Sequence, residues 1–223
     1  AKQINPQTTV VLGGPHAGLA RGRILAHPEI DLVAYGEGEE TLVEVLAALD
    51  AGRSLDGIAG TIVRRGTEVV EQSARLPIQD LDALPLPYEV AQETLVDFDD
   101  YPKSAFRYVF ASRGCSFNCL FCGSREIWGR KTRARSPENV VGELRKLQAV
   151  GIKRVHFEDD LFGATKKQIH ASCDAFLAAG LKLHWSCELH ANLVDADVAA
   201  HMRRAGCHSI LMGIESGNNA ILE

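Results

Sequence analysis

Cys115, Cys119 and Cys122 lie in the run Arg113-Gly114-Cys115-Ser116-Phe117-Asn118-Cys119-Leu120-Phe121-Cys122-Gly123, which follows an apolar, strand-like stretch. The Cys-x3-Cys-x2-Cys spacing lets one short loop wrap an iron–sulfur cubane while offering three thiolates to its four irons. Iron–sulfur clusters are ordinarily held by four cysteines, so a compact set of three leaves one iron open to a ligand that is not protein.

Other uses of three thiols fit the spacing less well. Tetrahedral zinc wants a fourth ligand, commonly from a second nearby Cys or His pair, and none lies close in sequence. His156, His184, His190 and His208 fall singly near strand positions, where a packed histidine is the simpler expectation. Three clustered thiols cannot all pair as disulfides, and a chain without a secretory pattern is expected in a reducing, cytoplasmic setting. A non-catalytic iron–sulfur module for electron transfer would ordinarily saturate its cluster with protein ligands. The remaining cysteines, Cys173, Cys187 and Cys207, sit in helix or strand patterns and read as small buried apolar residues.

A length of 223 residues and 46% hydrophobic composition suit one large or two small globular domains. The formal charge of −5 carries no general nucleic-acid signal, although residues 130–135 form a basic run, read as a solvated loop or as a contact for phosphate or carboxylate. No apolar stretch approaches the roughly 20 residues that span a bilayer.

The elements that must position the cysteines are legible as alternation. Residues 8–12 and 30–35 read as strands that break at Gly13-Gly14 and at Gly36-Glu37-Gly38, and Leu42, Val45, Leu46 and Leu49 recur at helical intervals before Gly52. A β-hairpin is expected from residues 60–65 and 68–72. Residues 76–107, with four prolines and weak periodicity, read as a linker. Beyond it, strands at 108–112, 152–157, 181–187 and 208–214 alternate with helices. Ser136 caps the first helix, which presents Val140, Val141, Leu144 and Leu147; Ile169, Cys173, Phe176 and Leu177 form the face of the second, and Asp195 caps the third. Such βα repetition implies a parallel sheet or barrel whose chemistry lies at the carboxyl ends of its strands.

The chain resembles the radical S-adenosylmethionine (SAM) proteins that carry a cobalamin-binding domain. The resemblance rests on the cysteine motif with Phe121 before its last thiol, on Arg135-Ser136-Pro137-Glu138, on the strand ends Phe157-Glu158-Asp159-Asp160 and Gly213-Ile214-Glu215-Ser216-Gly217, and on the turns Gly13-Gly14-Pro15-His16 and Gly36-Glu37-Gly38-Glu39. It implies an α/β fold. Residues 1–75 would be the C-terminal part of a Rossmann-like cobalamin-binding domain with a β-hairpin, 76–107 a linker, and 108–223 the first four strands of a partial radical SAM barrel, in a fragment truncated at both ends.

The same resemblance implies that Cys115, Cys119 and Cys122 hold a [4Fe–4S] cluster whose open iron chelates SAM, and that an electron cleaves SAM to a 5′-deoxyadenosyl radical. SAM carries an amino group, a carboxylate, a ribose diol and an adenine. Phe121 is expected beside the adenine, Glu158 and Asp159, with Asp160, at the amino group or substrate, and Glu215 and Ser216 at the ribose. His190 occupies the region where related enzymes often place an arginine for the SAM carboxylate. Gly13, Gly14, Gly36, Glu37 and Gly38 would border cobalamin's nucleotide tail, although no Asp-x-His-x-x-Gly segment supplies a cobalt-coordinating histidine. The expected activity is cobalamin-dependent methyl transfer or related C–H functionalisation on a small molecule, with radical cyclisation or rearrangement as the alternative and a flavodoxin or ferredoxin as electron donor. A methylthiotransferase is disfavoured, because residues 1–114 hold no cysteine for further clusters.

Overall fold

β-Branched runs that break at glycine form the strands of the N-terminal sheet. The computed structural model describes residues 1–222, and the chain groups into two units, one of Ala1–Ile78 with Arg125–Trp128 and one of the remainder. In the first, β1 (Val11–Leu12) leads through α1 (Pro15–Ala20) and a 3-10 turn to β2 (Leu32–Ala34), which pairs with β1 in parallel. After α2 (Glu39–Asp50), the hairpin β3 (Thr61–Arg65) and β4 (Glu68–Glu71) adds antiparallel to β2, giving the order β1-β2-β3-β4. The two-residue connection at Gly66-Thr67, with Gly66 at φ 58, can only reverse the chain.

The buried face of α2 differs from the leucine stripe expected of it. Thr41, Val45 and Ala48 pack inward, while Leu42, Leu46 and Leu49 remain partly exposed. Thr41 decides this rotation. Its hydroxyl lies 3.3 Å from the Ala59 carbonyl and accepts the Arg75 Nε–H at 2.9 Å, so the small-residue face is held against the sheet.

The second unit begins in the stretch expected to be a linker, which instead contains α3 (Pro87–Thr94). Tyr88 meets Phe98 and Phe106 edge-on at 5.8 and 5.5 Å, an aromatic knot whose members are too far apart in sequence to register as periodicity. The chain then runs through β5 (Tyr108–Val109), β6 (Ser112–Arg113), α4 (Ser124–Trp128), β7 (Arg133–Ala134), α5 (Pro137–Ala149), β8 (Arg154–Phe157), α6 (Lys166–Ala178), β9 (His184–Glu188), α7 (Ala196–Arg204), β10 (Cys207–Leu211) and α8 (Asn219–Leu222). Strands β5, β8, β9 and β10 make one parallel sheet in that order, as the alternation implies.

The expected strand at 108–112 is divided. Val109 stays in the parallel sheet, whereas β6 leaves it to pair antiparallel with β7. The main chain can depart there because the Ala111 and Ser112 N–H groups are accepted by the Asp159 carboxylate rather than by a neighbouring strand.

Capping follows the local sequence. Ser136 accepts the Asn139 N–H at 3.1 Å with Pro137 in the first turn of α5, and Asp195 accepts the Val198 N–H at 2.8 Å at the start of α7. Val140, Val141, Leu144 and Leu147 of α5, Ile169, Cys173 and Phe176 of α6, and Val198 and Met202 of α7 pack on Val155, Phe157, Trp185, Cys187 and Cys207 of the strands. Leu177, expected on the α6 face, lies outside this core and is partly exposed. Among the described residues no helix is long and apolar enough to cross a membrane.

Candidate active site

Because β5, β8, β9 and β10 are parallel, their carboxyl ends emerge along one edge, and the loops that follow them are gathered there. The cysteine loop leaves β6 just beyond the end of β5. Residues 158–160 follow β8, His190 follows β9, and Glu215 and Ser216 follow β10.

Gly114, at φ 90, supplies the left-handed turn that swings the chain into the cysteine loop. Cys115 and Cys119 are half-buried and Cys122 is exposed, with the Cys122 N–H donating to the Cys119 carbonyl at 3.2 Å. Burial pushes the Cys115 thiol up against a backbone hydrogen bond from Phe117 that favours the thiolate, with the nearby Asp160 adding to the rise. Three thiols on one short loop are the donor chemistry of a metal centre that takes thiolates. Among the described residues no three His, Cys, Asp or Glu side chains converge on a point that a single metal ion could occupy. Leu120 and Phe121 project outward at 92% and 71% exposure.

The base of the loop is pinned from both sides. Asp159, only 2% exposed, uses Oδ1 to accept the Ala111 N–H at 2.9 Å and the Ser112 N–H at 2.7 Å. Ser112 Oγ donates to the Leu161 carbonyl at 3.2 Å, a second tie to the end of β8. On the opposite side, Arg135 forms a buried ion pair with Glu143 at 2.5 Å, and donates from Nη1 to the Phe110 carbonyl and from its own N–H to the Ala111 carbonyl. The basic run at 130–135 is thus partly structural: Arg135 is largely buried and paired, and Arg130 Nη2 donates to Asn118 Oδ1 inside the cysteine loop at 2.7 Å. Glu143 was not legible as a site residue, since it sits on the apolar side of α5; its eight-residue offset from Arg135 is the signal.

The strand-end acids diverge in role. Glu158 is exposed, with Oε1 3.9 Å from His156 Nε2. Asp160 is exposed and within electrostatic reach of Cys115. Asp159, expected to meet SAM or substrate, is turned into the interior, and burial pushes its carboxyl up to about 7 against the backbone N–H groups and Arg135, which favour the anion. The expected contact of Asp159 with SAM or substrate thus meets a carboxylate that is buried, with Oδ1 taken up by the backbone. His190 stacks flat on Phe117 of the cysteine loop and accepts the Asn192 N–H on Nδ1 at 3.2 Å. That bond assigns the proton of a neutral ring to Nε2, leaving it as a donor. Glu215 takes a left-handed φ of 60, unusual without glycine, and Ser216 Oγ accepts the Asn218 N–H at 3.0 Å.

Residues of the sheet face were missed by sequence reasoning. Val155 and Phe157 point into the core, so His156 between them lies on the opposite face, where its Nδ1 is 2.7 Å from Ser186 Oγ on β9 and its ring meets Tyr108 edge-on. The period-two alternation around position 156 was the available signal.

In the first unit, the turns after β1 and β2 hold Gly13, Gly14, Gly36 and Gly38. Gly14 and Gly36 adopt φ 88 and 74, and a Cβ added at Gly14, Gly36 or Gly38 would meet nothing within 4 Å. The turns are therefore open surfaces of bare backbone, which suits close approach by a large planar or phosphorylated group. Glu37 does not share that openness. Its carboxylate, expected beside the cobalamin tail, is buried and accepts the Ile78 N–H at 2.6 Å.

Comparison with known proteins bears on the same residues. The model of the radical SAM superfamily matches residues 109–223. An uncharacterized methyltransferase of Pyrococcus horikoshii is 37% identical over the whole chain, which covers 49% of that protein. The anaerobic magnesium-protoporphyrin IX monomethyl ester cyclase of Synechocystis is 32% identical across 98% of this chain and 44% of its own length. Among solved structures, the cobalamin-dependent SAM radical enzyme OxsB, with aqua-cobalamin and SAM bound, superimposes with a TM-score of 0.76 at 21% identity, over 95% of this chain and 32% of that one. The likeness to OxsB shows a shared fold, and the chain spans about half the length of the curated relatives it matches.

Proposed function

The chain belongs to the radical SAM superfamily, and from that premise we propose that it is the cofactor-bearing part of a SAM-cleaving enzyme that transfers a methyl group with the help of cobalamin. One observation carries the reading: three thiols, half-buried to exposed, stand on a single anchored loop at the carboxyl-terminal edge of a parallel sheet. Cys115, Cys119 and Cys122 are the ligands of a [4Fe–4S] cluster, and their donor chemistry suits it. The cluster, when bound and reduced by a flavodoxin- or ferredoxin-type donor, supplies reductive cleavage of SAM to a 5′-deoxyadenosyl radical.

The chain's own residues bind and orient. Phe121 offers an exposed aromatic face for adenine. Glu158 and Asp160, exposed at the end of β8, accept from the SAM amino group, and the His190 Nε2–H donates to its carboxylate. Ser216 and Glu215 border the ribose. The Gly13-Gly14 and Gly36 turns, open and bare, receive the cobalamin tail.

Anaerobic reconstitution tests this reading. The wild type should bind iron and sulfide, show a cluster spectrum perturbed by SAM, and release 5′-deoxyadenosine on reduction; intact SAM and an unperturbed spectrum would sink it. A Cys119→Ala chain with a full cubane would sink the ligand assignment. A second reading, radical cyclisation, is favoured by the 32% identity to a cyclase over 98% of the chain. SAM labelled at its methyl group separates the two, because only methyl transfer carries the label into product.

A further inference from the structure

The carboxylate of Asp159, at the end of β8, is buried, between the exposed acids Glu158 and Asp160. Its Oδ1 accepts two consecutive backbone N–H groups, from Ala111 and Ser112, at the point where the chain leaves the parallel sheet. Those donors would otherwise be orphaned, since β5 ends at Val109 and β6 pairs on its other side. Its Oδ2 is buried and has no hydrogen-bond partner. The bond pair spans 48 positions for Ala111, so it ties the end of β8 to the stem of a loop built far earlier in sequence. Ser112 Oγ, through the Leu161 carbonyl, repeats the tie.

We propose that Asp159 is a positioning residue of the cysteine loop, setting the direction in which residues 113–122 leave the sheet, and that it does not itself touch SAM. This rests on the reading of Cys115, Cys119 and Cys122 as cluster ligands. Thiolates spread over a short loop must meet three corners of one cluster, so the angle at which the stem departs decides whether they can do so together. Two adjacent N–H groups on one oxygen hold that angle as a single bond would not. The geometry needs an acceptor oxygen at the Oδ1 position and does not need a negative charge there.

Two substitutions and three readouts test this on the full chain: iron bound per chain after reconstitution, amide hydrogen exchange at 111 and 112, and SAM affinity. Asp159→Asn keeps a carbonyl oxygen in place, and it should load iron, protect both amides and bind SAM as the wild type does. Asp159→Ala removes the acceptor; exchange at both amides should quicken by about tenfold or more, with iron loading reduced in step. If Asp159→Ala loads iron and protects the amides normally while SAM affinity falls, Asp159 is a ligand-contact residue and the proposal is overturned. Should the alanine chain not fold, the asparagine chain decides alone: loss of iron loading, or loss of SAM binding with iron retained, overturns the proposal. A wild type that loads no iron refutes the cluster reading instead, and the exchange rates of the variants still decide whether Asp159 holds the stem.

Discussion

The ring of Phe117 lies flat on the imidazole of His190, centroids 3.7 Å apart and planes 6° from parallel. The contact joins the middle of the cysteine loop to the turn that follows β9, so one residue both steadies the loop and presents a donor at the same edge of the sheet. His190→Phe should keep the stack and lose the donor, weakening SAM binding with little change in melting temperature. His190→Ala should lose both and lower Tm by about 2–4 °C, as a stacked aromatic pair of roughly 1 kcal/mol predicts. Calorimetry of the two chains, with and without SAM, reads the difference.

Asp159 gives stability a pH dependence of definite sign. Its carboxyl is raised from 3.8 to about 7 in the folded chain, chiefly by burial. A group whose folded value lies above its unfolded value contributes stability that is complete below the unfolded value and lost as pH rises through the folded one. The unfolding free energy of the wild type, read from urea titrations, should therefore fall between about pH 4 and pH 7.5 by on the order of 4 kcal/mol, with Arg135, Asp160 and Cys187 as the ionisable groups around the carboxyl. Asp159→Asn should flatten this dependence, and an unchanged slope would contradict the burial argument.

Breaking the Arg135–Glu143 pair should be costly because both partners are buried, with side chains 9% and 3% exposed. Arg135→Met leaves Glu143 uncompensated and releases the Phe110 carbonyl, a loss of about 3–5 kcal/mol in denaturant unfolding. Adding Glu143→Leu should recover much of it. A double variant no better than the single would mean that the guanidinium matters only through its bonds to the stem.

On α2, the rotation fixed by Thr41 predicts an asymmetry. Val45→Ala should destabilise by about 2 kcal/mol through lost burial, whereas Leu46→Ala, at a position 55% exposed, should stay within about 0.5 kcal/mol. Equal effects would restore the leucine stripe as the packing face.

The amino-acid sequence by itself determined what depends on near neighbours. The cysteine spacing, the glycine turns, the caps at Ser136 and Asp195 and the strand–helix alternation all involve groups a few residues apart, whose geometry the chain's own bond lengths and dihedrals nearly dictate. The repeated βα alternation of the second half points to its parallel sheet, whereas β2 and β3, also joined through a helix, pair antiparallel, so alternation alone did not fix the direction in the first half. Tertiary structure alone decided the rest. Whether Asp159 would face a ligand or the Ala111 and Ser112 amides, whether Arg135 would be solvated or paired with Glu143 against the stem, and that His190 would lie on Phe117, are choices among distant partners. A charged or aromatic side chain has the same local signature in either role. Only the folded arrangement supplies the low-dielectric surroundings and the competing donors that set its protonation and its partner.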